Sequence, residues 1–166
     1  MRILAASIAA VLIQPVVFMA RLSPAYFESP QGFSGLGFIL MYVLAVATAA
    51  VVILGIPAFL LLMKCQRANW RSVAATGFAL AMLPSVVLSW PRRLTGYSSG
   101  VNWHGKYVDI YINGEPTKYA WLTFGESTLY FGIHGLVGAL AFYMVWRQVD
   151  RIKKNSADSS REGVGV

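Results

Sequence analysis

The chain carries one cysteine, two histidines and only seven acidic residues among its 166. A single cysteine, Cys65, excludes an intramolecular disulfide. It also excludes the chemistry of disulfide-forming membrane oxidoreductases, which need cysteine pairs on the outer side. His104 and His134 stand in no HxxxH or HxxE spacing, and catalytic zinc needs about three protein ligands. No metal and no cofactor are therefore expected. No glycine-rich motif follows a strand and opens a helix, which leaves nucleotide binding unsupported. Ser98-Ser99 lies near His104, but nothing in the pattern fixes a general base. A non-enzymatic protein is the expectation.

Charge is scarce as well. Charged residues make up 13% of the chain, against about 25% in an ordinary soluble domain. What fills the space is apolar: 57% hydrophobic side chains and a mean hydropathy of +0.57. These residues gather in runs long enough to cross a hydrocarbon core of about 30 Å. Four spans are expected, near residues 3–20, 36–63, 73–90 and 127–146. The first is read as a retained span, because Gln14-Pro15 interrupts it and Phe18 sits where a signal-peptidase site wants a small residue. Kinks are expected at Gly55-Ile56-Pro57 and at Pro84. Small residues at packing spacing, Ala5 with Ala9, Ala45 with Ala49, Ala74, Gly77 and Ala81, and Gly135 with Ala139, suit close helix contact within the chain or in a homo-oligomer.

The fold class predicted is an all-α membrane protein, a four-transmembrane-helix bundle with an external β-hairpin between helices 3 and 4. Residues 1–154 form the membrane domain, with the external segment at 91–126. Residues 155–166 are polar and read as a disordered cytoplasmic tail.

The basic residues follow this layout. With the N-terminus inside, Arg2, Lys64, Arg67, Arg71, Arg147, Arg151, Lys153, Lys154 and Arg161 fall on the cytoplasmic side. Arg21, Arg92, Arg93, Lys106 and Lys118 fall outside. Lys and Arg hold their side of a membrane near span ends, so both termini are expected in the cytoplasm of a bacterial inner-membrane protein. The net charge of +7 then records topology and attraction to lipid, and no nucleic acid is expected. Trp90, Arg92, Arg93 and Trp146 sit at span ends as interface anchors.

The external segment supplies the only other pattern. Tyr107–Ile112 and Thr117–Phe124 both alternate about Asn113-Gly114-Glu115-Pro116, which predicts a hairpin. A four-residue loop would pair Ile110 with Tyr119 and Val108 with Trp121, forming an apolar face. An isolated hairpin is marginal in water, so this face must rest on the bundle or on a protein partner.

Glu126, Tyr130 and His134 are spaced to share one helix face. Polar groups in a span are costly and mark candidate sites. At about 1.5 Å per residue, His134 lies roughly 10–12 Å deep, near the level of Gln14, Tyr42 and Ser85. The set Gln14, Tyr42, Ser85, Tyr130 and His134 therefore reads either as interhelical hydrogen bonding or as a polar path for a small transporter or channel subunit. The favoured expectation is protein partner binding through the hairpin. In size and span number the chain is similar to the immunity proteins of pore-forming bacterial toxins, which implies an immunity- or assembly-factor-like role.

Overall fold

The computed structural model describes residues 2–21 and 32–162, with side chains over 2–21 and 35–152. The expected loop with Pro24, Tyr26, Phe27 and Pro30, and the side chain of Phe33, lie outside them. The order of elements is α1 (Arg2–Leu12), α2 (Gln14–Met19), α3 (Gly32–Ala50), a π-helical turn at Val51–Gly55, α4 (Ile56–Lys64), α5 (Trp70–Leu88), β1 (Ser99–Trp103), β2 (Lys106–Ile112), β3 (Glu115–Pro116) and α6 (Lys118–Glu162). Among the described residues, four stretches are long and apolar enough to cross a membrane: Arg2–Met19, Gly35–Lys64, Trp70–Leu88 and Lys118–Ile152. They fall at the four expected spans, the first ending one residue and the third two residues earlier than expected.

The interruptions fall where proline demands them. Pro15 stands in the first turn of α2, where a missing N–H leaves no hydrogen bond broken. The π turn at Val51–Gly55 lies just before Pro57 and absorbs the register change that proline imposes. Pro84 lies inside α5. The backbone of α6 stays helical to Glu162, so residues 155–162, expected as tail, continue the helix. Residues 163–166 lie outside the described part.

The chain divides into two compact units, residues 1–77 with 136–166, and residues 78–135. In the first, Ala6, Ala10, Phe59, Val73 and Phe142 form the buried core. The Phe59 ring meets Phe142 and Trp146 edge-on, at 4.7 and 5.2 Å. The small residues that α1 buries are Ala6, Ser7 and Ala10, with both alanines one position on from the Ala5 and Ala9 expected. Arg2 pairs with Asp150, and Gln14 abuts Gly138, where a Cβ would come within 2.6 Å of its amide nitrogen. These contacts lie twelve residues apart on both helices, so α1 and α2 run antiparallel to α6 in register.

In the second unit, the Phe78 ring lies over Gly132, so close that a Cβ there would meet it at 2.5 Å. Higher up, Ser85 and Thr128 share a 2.9 Å hydrogen bond. At the top the Trp90 ring meets Trp121 and Phe124 edge-on, at 5.3 and 5.5 Å. These steps run in opposite senses along α5 and α6, which are therefore antiparallel.

The sheet differs from the expected hairpin. It has three antiparallel strands in the order β1-β2-β3, and Lys118–Phe124 belongs to α6. The pairs Ile110–Tyr119 and Val108–Trp121 do not form. Val108 instead faces Val101 across β1–β2. Tyr111 faces Pro116 and Ile112 faces Glu115, so the turn is the two-residue Asn113-Gly114.

Geometry explains why proline is tolerated there. Beside a two-residue turn the first pair, Ile112–Glu115, is hydrogen-bonded and the next, Tyr111–Pro116, is not. Pro116 is thus not asked for an N–H, and the ladder resumes where Thr117 N donates to Ile110 O at 3.0 Å. The Thr117 hydroxyl then accepts from Tyr119 N at 3.2 Å, an N-cap that starts the helix and ends the alternation.

Both tight turns use paired positive φ angles, His104 (50°) with Gly105 (79°) and Asn113 (51°) with Gly114 (87°), the signature of a type I′ hairpin turn. The second is clasped by the loop after α5. Leu94 N donates to Gly114 O at 2.9 Å, and Gly114 N donates to Tyr97 O at 2.7 Å. Asn113 N donates to the Ser98 hydroxyl at 2.9 Å. A Cβ on Gly114 would collide with the Leu94 carbonyl, whereas Gly105 has open space around it. Left-handed φ alone costs an ordinary residue about 1–2 kcal/mol. Gly114→Ala is expected to raise hydrogen exchange at residues 106–117 by more than tenfold, and Gly105→Ala by clearly less. Equal effects would contradict the clasp.

Candidate functional site

The chemistry of the second unit gathers at the start of α6. Glu126 follows two turns after the Thr117 cap and faces the end of β1. Its Oε2 accepts a 2.8 Å hydrogen bond from the Trp103 indole Nε1. The same oxygen lies 3.3 Å from His104 Nε2. The Trp103 ring meets His104 at 4.7 Å and Tyr119 at 5.6 Å, both edge-on. One carboxyl group thus ties the β1–β2 turn to the helix. Half the arrangement is exposed, the His104 and Glu126 side chains at 66% and 37%.

The four residues expected to form an apolar partner face are divided between elements. Val108, 9% exposed, is covered. Ile110 is half-buried on β2, and Tyr119 is half-buried on α6 against Trp103. Trp121 packs against Trp90 and Phe124. The face of β2 that stays open is the other one. Tyr107 is 75% exposed and lays its ring over Gly100, where a side chain would clash with it. Asp109 and Asn102 are exposed beside it, and Tyr111 pairs edge-on with Tyr97 at 5.5 Å. Aromatic cover over a strand glycine supports the register as well as offering a surface.

The polar set of the spans is placed as follows. Gln14 and Tyr42 lie in the first unit, and Ser85, Tyr130 and His134 in the second. Gln14 is buried and its amide donates to Ala10 O at 3.1 Å. Tyr42 is 66% exposed on α3. Ser85 is buried against Thr128, a partner the sequence did not single out although it lies two residues from Glu126. The Tyr130 and His134 rings meet at 4.6 Å, as one-turn spacing allows. Of the anchors, Trp90 joins the aromatic cluster, Arg92 is exposed, and Arg93 pairs with Glu115 at 3.0 Å. Trp146 packs on Phe59. Among the described residues, no three of His, Cys, Asp and Glu come together as metal ligands.

Trp103, His104 and Tyr107 carry the site, yet sequence pattern pointed elsewhere. The available signal was His104-Gly105 between Ser99–Trp103 and Lys106–Ile112, a two-residue turn that accepts positive φ. Comparison with protein-family models, with curated proteins and with solved structures finds no match to this chain.

Removing the carboxylate isolates its role. Glu126→Ala is expected to loosen β1 and the 104–105 turn, seen as about fivefold faster hydrogen exchange over residues 99–112. Glu126→Gln, which keeps an acceptor for the indole, should recover most of the protection. Equal loss in both variants would assign the hold to charge alone.

Proposed function

We propose that the chain is a four-span inner-membrane protein of bacterial type. It acts by binding a protein partner at its external sheet, in the manner of an immunity or assembly factor, and catalyses no reaction. Support for the spanning arrangement comes from helix length and hydropathy, and from the Arg2–Asp150 pair. That pair brings the two ends of the apolar part to one level, as an even number of spans requires. Most of the basic residues belong to that end, which supports reading it as the cytoplasmic one.

The observation that carries the partner reading is the open tyrosine face of the sheet. Its opposite face is tied to α6 through Trp103 and covered at Val108, while Tyr107 and Tyr97 are exposed with Asp109 and Asn102 beside them. Tyrosine gives large, rigid, amphipathic contact area at low entropic cost, which is why binding surfaces favour it. β1 is also an edge strand, open to pairing by an extended segment. The polar path for a transporter or channel subunit has less behind it. Ser85 already bonds Thr128, Gln14 bonds its own helix, and Tyr42 is exposed.

A photoreactive residue in place of Tyr107, in intact membranes, is expected to capture one defined protein. The double change Asn102→Ser with Tyr97→Ser should remove that adduct without lowering the membrane level of the chain. Adducts to lipid alone, or an adduct indifferent to the double change, would contradict the reading.

A further inference from the structure

A second chemically defined place lies in the first unit, at the other end of α6. Leu140, Tyr143, Met144, Arg147, Gln148 and Arg151 recur at three- and four-residue intervals and so share one face of the helix. With Trp70 at the start of α5 they line an open cleft of about 390 Å³. Its lining changes along its length. Leu140 and Met144 are apolar, Tyr143 and Trp70 are amphipathic, and Arg147, Gln148 and Arg151 supply hydrogen-bond donors. From Leu140 to Arg151 the helix rises about 16 Å at 1.5 Å per residue.

Asp150, between the two arginines in sequence, pairs with Arg2. A third guanidinium, Arg71, lies over the Trp70 ring with its Cζ 5.4 Å from the centroid. The cleft therefore offers an apolar and aromatic stretch at Leu140, Tyr143, Met144 and Trp70 and a cationic end at Arg147 and Arg151.

We propose that this cleft holds one anionic phospholipid, with an acyl chain along Leu140 and Met144 and the phosphate at Arg147 and Arg151. The guanidinium fork matches phosphate oxygens two at a time, and Trp and Tyr sit at the headgroup level of a bilayer. Basic pockets between spans on the cytoplasmic side take anionic headgroups. An acidic peptide or a nucleic acid would leave the apolar length unused, and a zwitterionic lipid would leave the arginines uncompensated. The proposal rests on the spanning arrangement above and is independent of the external partner.

The test is titration of the full-length protein in detergent with phosphatidylglycerol and with phosphatidylcholine, read by native mass spectrometry. One phosphatidylglycerol is expected to bind in clear preference to phosphatidylcholine. A basic residue near the surface contributes about fivefold. Arg147→Gln with Arg151→Gln should therefore weaken phosphatidylglycerol binding about 25-fold. Lys64→Gln with Arg67→Gln removes equal charge outside the cleft and should change it less than twofold.

Equal loss in the two double variants would overturn the proposal in favour of general surface charge. So would equal binding of the two lipids by the unaltered protein, or displacement of the lipid by soluble glycerol phosphate. If the arginine double variant does not fold, the unaltered protein's lipid preference and the single change Gln148→Glu, which should weaken binding, decide the matter. Resistance to alkaline carbonate extraction scores membrane integration separately. A chain that extracts with carbonate fails the spanning reading, and one that resists but shows no lipid preference fails this proposal alone.

Discussion

The Glu126 carboxylate decides what the external part of this chain can be. Three short strands, one of only two residues, bury too little surface to hold a position alone in water. Glu126 accepts a hydrogen bond from the Trp103 indole N–H and lies beside His104, while the Tyr119 ring meets the same indole edge-on. The end of β1 is thereby held against the first turns of α6. With that end fixed, the alternation along β2 turns Val108 inward and Tyr107 outward. The clasp of Leu94, Tyr97 and Ser98 on the Asn113-Gly114 turn then fixes the far end. The sheet is pinned at both ends, and its tyrosine face is what remains.

The spans were legible because their signal is length and composition, which no local competitor imitates. The external segment was half legible. Asn113-Gly114 marks a turn, and the alternation of Lys106–Ile112 marks a strand; both are there. Thr117–Phe124 misled because seven or eight residues can satisfy period 2 and period 3.6 together. Here the apolar positions of Tyr119, Trp121 and Phe124 serve a helix. The deciding facts are non-local: a threonine cap, and a proline at the one ladder position that needs no donor. The partner of β2 was hidden for a different reason. Ser99-Gly100 looks like loop, and Gly100 is strand only because Tyr107 covers it.

The polar residues of the spans show what depth counting leaves out. Equal depth on separate helices sets a level and says nothing about which way each side chain faces. Tyr42 is exposed on its helix. The Ser85 hydroxyl is buried but meets Thr128. The same holds for the small residues. Spacing of four is common in these helices; Ala74 is buried as expected, while Gly132 and Gly138 are met closely by Phe78 and Gln14. A ring or an amide seated over a glycine is a pairwise fit that no single segment reveals.

The two ends of α6 carry different chemistry, aromatic and acidic at the sheet, cationic at the cleft, and in the proposed four-span arrangement a membrane lies between them. Cysteine accessibility in intact cells tests that most directly. Cys65, the native cysteine, is exposed in the connection between α4 and α5, and Tyr107 stands on the open face of the sheet. A membrane-impermeant maleimide should label the Tyr107→Cys variant in a Cys65→Ser background from outside, and should reach Cys65 in the unaltered chain only after the membrane is opened. Labelling of both positions from the same side would contradict the four-span arrangement and the external sheet with it.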